Sequence, residues 1–155
     1  MPFIEIITDS KSQNQLNKVI TKQMVNNCEL LYIKEKNIEN IKNIKLETLV
    51  LNRKIENIEL INKIAGNAKN IIFNLDLNKE ITNAESKKIS FGYNSKSDIT
   101  ISSVKDDEIM ICIQNTIESI YGKKVEQQEV KVDIKSDVNV YNIMIIIALT
   151  ALYAK

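Results

Sequence analysis

The residues best placed to do chemistry stand at the head of the chain, in Phe3-Ile4-Glu5-Ile6-Ile7-Thr8-Asp9-Ser10-Lys11-Ser12-Gln13-Asn14-Gln15-Leu16. An isoleucine-rich run, a polar loop and the start of an apolar-periodic segment read as a buried strand, a tight loop and a helix. In an α/β protein that arrangement places a nucleotide phosphate at the helix N-terminus, held by backbone N–H groups and the helix dipole. Ser10, Lys11 and Ser12 are the candidate phosphate-binding residues. Yet the loop has no glycine to turn N–H groups toward an anion, and no lysine where a phosphate-binding lysine belongs. Asp9 would repel a phosphate, and Lys11 offsets that only in part. The plainer reading is a capped strand-to-helix turn.

Other chemistry is narrowed by what the chain lacks. There is no histidine, which removes the usual general base, metal ligand and partner of a Ser or Cys nucleophile. Glu56, Glu59 and Asp76 are the carboxylates that could gather around magnesium. Glu56 and Glu59 also suit a helix's first turn, where the dipole favours them without any metal, so no metal site is assigned. Asp106-Asp107-Glu108 reads as a solvated hairpin turn. Cys28 and Cys112 lie far apart in sequence and read as buried free thiols of a reducing compartment. With 21 basic and 20 acidic residues, a net charge of +1 argues against nucleic-acid and anionic-membrane binding. The 28 isoleucines and 19 asparagines indicate a compositional bias, so single asparagines carry little functional weight.

These residues need a scaffold, and the hydrophobic pattern supplies one. Residues 3–8, Glu29–Ile33, Leu46–Leu51 and Asn70–Asn74 are short apolar runs suited to parallel strands. Leu16, Val19, Ile20 and Met24 repeat at helical spacing to about Asn27, with Ser12 and Gln15 resembling a capping box. Ile55, Ile58, Ile61 and Ala65 mark a second helix ending near Gly66. Residues 37–44 read as a short helix or turn, and a polar helix is expected over Leu77–Glu85. Then Lys88–Gly92, Asp98–Val104, Glu108–Asn115 and Val125–Ile134 read as an antiparallel meander. Val138–Ala154 is apolar almost all round, but it is shorter than the about 20 residues of a membrane span and reads as a buried helix. No basic segment followed by an apolar run opens the chain, so no signal peptide is expected. The expectation is one α/β domain over residues 1–155: a mostly parallel sheet flanked by helices on both faces, with an antiparallel strand extension.

Taken in order, the elements and several short motifs resemble the central, ATP-binding domain of the Mur ligase family, which adds amino acids to peptidoglycan precursors. Lys88-Ile89-Ser90-Phe91-Gly92-Tyr93 followed by Ser97-Asp98-Ile99 is similar to the family's strand ending in Phe-Gly and its next Ala-Asp-Ile/Val strand. Ile71-Ile72-Phe73-Asn74-Leu75-Asp76 is similar to its Val-Val-x-Asn-x-Asp strand end. Asn139-Val140-Tyr141-Asn142 before an apolar helix resembles its Gly-x-His-Asn-x-x-Asn-x-x-Ala-Ala segment. The resemblance implies a P-loop NTPase-like fold and maps Asn139 to the asparagine that contacts adenine, although an Asn there also suits a helix N-cap. Thr8–Gln15 stands where the family has its P-loop. There Asp9 and Ser12 fill both glycine positions, Gln13 the lysine position and Asn14 the position of the magnesium hydroxyl. Asn52–Glu59 resembles the family's Asn-x-x-x-Asp-His-Leu-Asp segment, with Asn57 at the histidine. No counterpart of the magnesium glutamate or the carbamylated lysine is found, and the 155 residues are expected to hold the central domain alone, without the family's flanking substrate domains.

The resemblance therefore implies a degenerate, non-catalytic member, a bacterial cytoplasmic pseudoenzyme serving as a scaffold or interaction module near cell-wall precursor synthesis. No catalytic residue and no bound cofactor are expected, and the partner would be another protein or a second copy. The alternatives are a module that binds ATP or ADP without turnover, through Ser10, Lys11, Ser12 and Asn139, and an accessory chain of an ATP-dependent ligase.

Overall fold

Isoleucine-rich strands fill the centre of the molecule. The computed structural model describes residues 2–79, 81, 85–133 and 139–155. In chain order these give β1 (Phe3–Ile7), α1 (Ser10–Val19), β2 (Glu29–Ile33), a 3-10 helix (Glu35–Ile41), β3 (Leu46–Leu51), α2 (Ile58–Gly66) and β4 (Ala68–Asn74). There follow β5 (Lys87–Phe91), β6 (Ile99–Lys105), β7 (Glu108–Ile113), β8 (Ile117–Glu118), β9 (Lys124–Val125), β10 (Gln128–Asp133) and α3 (Val140–Leu152). Eight strands form one sheet in the order β10-β7-β6-β5-β4-β3-β1-β2, and β8 and β9 form a separate pair. The strands from β2 to β6 run parallel, while β6, β7 and β10 are antiparallel. This is the expected α/β architecture with its antiparallel extension.

Side chains alternate between two hydrophobic layers, as the period of a strand requires. Ile4 and Ile6 of β1 join Leu16 of α1 and Met144, Ala148 and Leu149 of α3 on one face. Ile7 joins Ile38 and Ile41 of the 3-10 helix and Ile61 and Ile64 of α2 on the other. Helices thus cover both faces of the parallel half, which is why β1, β3 and β4 are apolar at almost every position.

The two halves of the sheet meet at a single register pair, Phe91 with Ile99. β6 therefore starts level with the end of β5, and the β6–β7 hairpin runs on past the C-terminal edge of the parallel strands. Lys88–Gly92, expected in the antiparallel meander, is instead the β5 region, parallel to both of its neighbours. The expected strand over Val125–Ile134 is split. Val125 pairs with Ile117 in the small sheet, Gln128–Asp133 pairs with β7, and Ile134 lies outside the described residues.

Two helix expectations are also corrected, both through asparagine and threonine. α1 stops at Val19, and residues 22–27 form turns in which Thr21 accepts from the Met24 N–H, through Oγ1 at 3.3 Å. Asn26 and Asn27 hold left-handed φ values of 54° and 58°, a conformation asparagine tolerates and a helix does not contain. Ile20, Val25 and Cys28 are still buried, so the helical spacing of apolar residues is used by a coil. Over the expected helix Leu77–Glu85, Asn78 donates Nδ2 to the Arg53 carbonyl at 2.8 Å and accepts from the Ile55 N–H at 3.4 Å. Those bonds tie the segment to the loop before α2, and its described residues are turn, bend or irregular. Residues 80 and 82–84 lie outside the described set. For α3, the Val138 at its expected start also lies outside the described residues.

Candidate functional site

In parallel α/β sheets ligands gather at the C-terminal ends of the strands, and here that edge carries a continuous polar chain. β1 leads into α1 through only Thr8 and Asp9, so the expected loop is mostly the first helical turns. The helix cap is Asp9 rather than Ser12. Its Oδ1 accepts the Ser12 N–H and its Oδ2 the Ser12 hydroxyl, both at 2.9 Å. A carboxylate of the chain itself thus sits on the N-terminal amides of α1, where a phosphate would bind. Burial pushes the Asp9 carboxyl up, but the Ser12 N–H and hydroxyl, with the backbone of Asp9 and Lys11, outweigh it and hold the group below its usual range. Of the candidate phosphate residues, Ser10 and Lys11 are exposed in the first turn, and Ser12 is buried against Asp9. Asn139 is exposed and caps α3, accepting the Tyr141 N–H at 2.9 Å.

Behind α1, asparagines at the strand ends are joined to one another. Asn52 donates to the Thr8 hydroxyl at 3.2 Å, Asn74 donates to Asn52 at 3.0 Å, and Asn74 accepts the Asp76 N–H at 3.0 Å. Asp76 is the hub of this edge. It accepts the Tyr93 N–H at 2.7 Å, the Asn94 N–H at 2.9 Å and the Tyr141 hydroxyl at 2.8 Å. Gly92 makes this possible. Its φ is +144°, and a Cβ there would lie 2.7 Å from the Asp76 carboxylate. Burial, and then the bond to Asp76 and its charge, push the Tyr141 hydroxyl up to about 12, which keeps it a donor. The Tyr141 ring also meets Tyr93 edge-on, with centroids 5.5 Å apart. At the next residue of α3, buried Asn142 donates Nδ2 to Gln15 at 2.6 Å, linking α3 to α1.

Sequence reading singled out Asn139 and the residues after Asp9, and Asp76 only as a carboxylate beside Glu56 and Glu59, whereas the structure gathers Asp76 with Gly92, Tyr93 and Tyr141. The signals for that hub were the Phe91-Gly92-Tyr93 run, the Asn74-x-Asp76 strand end and the Asn139–Asn142 segment that carries Tyr141. Glu56 and Asp76 line the same cavity, Glu59 does not line it, and among the described residues no group of three His, Cys, Asp or Glu side chains could hold a metal ion. That cavity, of about 430 Å³, opens beside Asp76, between the loop before α2 and the segment after β4. Lys54, Glu56, Asn78 and Lys79 line it with mixed charge.

A second ionisable group lies in the core. Glu5, at the middle of β1, is fully buried, and neither carboxylate oxygen has a hydrogen-bond partner among the described residues. Its in-register neighbours are Leu31 and Leu49. Burial pushes its carboxyl up from 4.5 to about 7. Cys28 is buried near the Tyr153 hydroxyl, and burial pushes its thiol up, which suits an inert core thiol rather than a nucleophile.

No helix among the described residues is long and apolar enough to cross a membrane. Comparison with protein-family models and with curated proteins finds no match to this chain.

Proposed function

We propose that the chain is a non-catalytic domain of the Mur ligase central-domain type, one that keeps the sheet scaffold and has lost the nucleotide site. It would act by contact with other proteins, alongside enzymes of cell-wall precursor synthesis. One observation carries the reading: the Asp9 carboxylate lies on the Ser12 N–H at 2.9 Å, so the first turn of α1 already holds an anion. The strand-edge asparagines and Asp76 support it, because they bond to one another and to the backbone.

The test is titration of the purified protein with Mg-ATP, followed by calorimetry and by thermal unfolding. The expected result is no heat of binding and no rise in Tm at millimolar nucleotide. A ligand at a hundred times its Kd would add about 2.7 kcal/mol of stability, which such a scan detects readily. Stabilisation by ATP that disappears in Asn139→Ala would overturn the reading in favour of a module that holds nucleotide without turnover.

A further inference from the structure

Among the described residues, the antiparallel half of the sheet ends in a strand, β10, with no strand on its outer side. Along its inner edge β10 pairs with β7. An unpaired row of backbone N–H and C=O groups is a template for another strand unless the chain blunts it. Blunting usually relies on proline, a bulge, a very short strand, or charged side chains, lysine above all. β10 carries charges, but of both signs, so they repel some strands and complement others. β10 has six residues, no proline, and side chains Gln128-Glu129-Val130-Lys131-Val132-Asp133. Val130 and Val132 point to the core face, where they pack on the main hydrophobic cluster. Glu129, Lys131 and Asp133 point to the other face and are exposed, in the order negative, positive, negative.

That charge order is self-complementary. When the strand is laid antiparallel on a copy of itself about a two-fold axis through Val130, Val130 meets Val130 on the core face. Glu129 then stands opposite Lys131, twice, on the outer face. Moving the axis to Lys131 sets lysine against lysine and Glu129 against Asp133, and moving it to Glu129 sets glutamate against glutamate. Like charges directly opposite destabilise a pair and opposite charges support it, so the charges reject the Lys131 and Glu129 axes. An axis through Val132 also sets Lys131 opposite Asp133, but it pairs only three residues of β10 against five for the Val130 axis, which is therefore the favoured register. Lys131 already pairs with Glu108 of β7 at 2.9 Å, which fixes the ammonium on the outer face. Glu129 has no ion-pair partner among the described residues. Because the β6–β7 hairpin runs past the edge of the parallel strands, β10 lies on a projecting part of the sheet. A second molecule can reach it there.

We propose that β10 is a self-association edge, and that two copies of the chain join through antiparallel β10–β10 pairing centred on Val130 to form a continuous two-fold sheet. This names a partner for the interaction-module reading but rests on different observations. A single added strand pair belongs to the class of small interfaces, below about 1,200 Å², whose complexes are weak. The full chain is therefore examined by sedimentation velocity and light scattering from low to roughly 100 µM, a range chosen for such interfaces.

The wild type is expected to shift from the mass of one chain to that of two. Glu129→Lys and Lys131→Glu, each checked for native circular dichroism, are each expected to weaken the dimer about tenfold or more. An equimolar mixture of the two variants restores it, because every Glu–Lys pair is then recovered between unlike copies. If Lys131→Glu does not fold, Glu129→Lys against Glu129→Gln keeps the test, since repulsion predicts the larger loss for lysine. A wild type that stays monomeric across the range, or a dimer indifferent to Glu129→Lys, overturns the proposal. Neither result bears on the ATP titration, so the two readings fail separately.

Discussion

Replacing Glu5 by glutamine should change how the stability of the protein depends on pH, and the size of the change follows from where Glu5 sits. Its carboxyl is fully buried in β1 between Leu31 and Leu49 and has no hydrogen-bond partner among the described residues, so the core favours the neutral acid. Burial holds the folded group at about 7, against 4.5 in the open chain. The folded state therefore keeps its proton longer than the unfolded state. Stability is greatest below 4.5, falls as pH rises toward about 7, and levels off above it. At ~1.36 kcal/mol per unit, the whole gap is worth about 3 kcal/mol, of which about 2.5 kcal/mol is lost between pH 5 and pH 8. The chain has no histidine, so the side chain that ordinarily titrates in this window is absent. Urea unfolding at fixed temperature from pH 5 to pH 9 measures the slope. The wild type should lose stability across the window, and Glu5→Gln should be nearly flat there. A wild type equally stable at pH 5 and pH 8, or a glutamine variant with the wild-type slope, would refute the reasoning.

Two other predictions test the strand edge. Gly92→Ala combines a positive φ with a Cβ placed 2.7 Å from an Asp76 carboxylate held by three hydrogen bonds. It should cost about 3 kcal/mol in urea unfolding, and a loss below about 0.5 kcal/mol would show that the carboxylate is not held. Asp9→Ala removes the cap of α1 and should cost about 1 kcal/mol, with Asp9→Asn close to wild type. Because Asp9 is held below its usual 3.8, its contribution is present above that pH and is lost as pH falls through the lower folded value. Acid unfolding curves of the wild type and Asp9→Asn should therefore separate only at the acid end.

The parallel half of the fold was legible because its signal is local. Ile4-Glu5-Ile6-Ile7, Leu49-Val50-Leu51 and Ile71-Ile72-Phe73 are runs that only a sheet covered on both faces accommodates. The segment after Val19 carries the right apolar spacing and Leu77–Glu85 was expected as a polar helix, but Thr21 and Asn78 bond the backbone in ways that compete with a helix. Within a composition so rich in asparagine, nothing marks Asn78 as different from its neighbours. The Asp76 hub was less legible still. Its partners lie 17 to 65 residues away in sequence, so the spacing that matters exists only after folding. Glu5 showed the opposite problem. In an alternating strand a glutamate reads as the solvent face, and only the second covered face of the sheet makes it a buried acid.

The single Phe91–Ile99 pair between β5 and β6 has a consequence for how the molecule opens. Along a fully laddered sheet, fluctuations are coupled by backbone hydrogen bonds, but at this seam the coupling passes mostly to side chains. α3 carries it, since Met144, Ala148 and Leu149 share one cluster with Ile89 and Phe91 on one side of the seam and with Ile99, Ile111 and Ile113 on the other. The two halves then behave as separate units of local unfolding, joined by α3 and by a short bridge at the seam in which Asp98 accepts the Ser90 N–H and the Gly92 N–H donates to the Ile99 carbonyl. In native-state hydrogen exchange, the amides of β6, β7 and β10 should gain protection as a group, distinct from β1, β3 and β4. Truncating Leu149 should widen the difference between the two groups, although it touches no strand backbone.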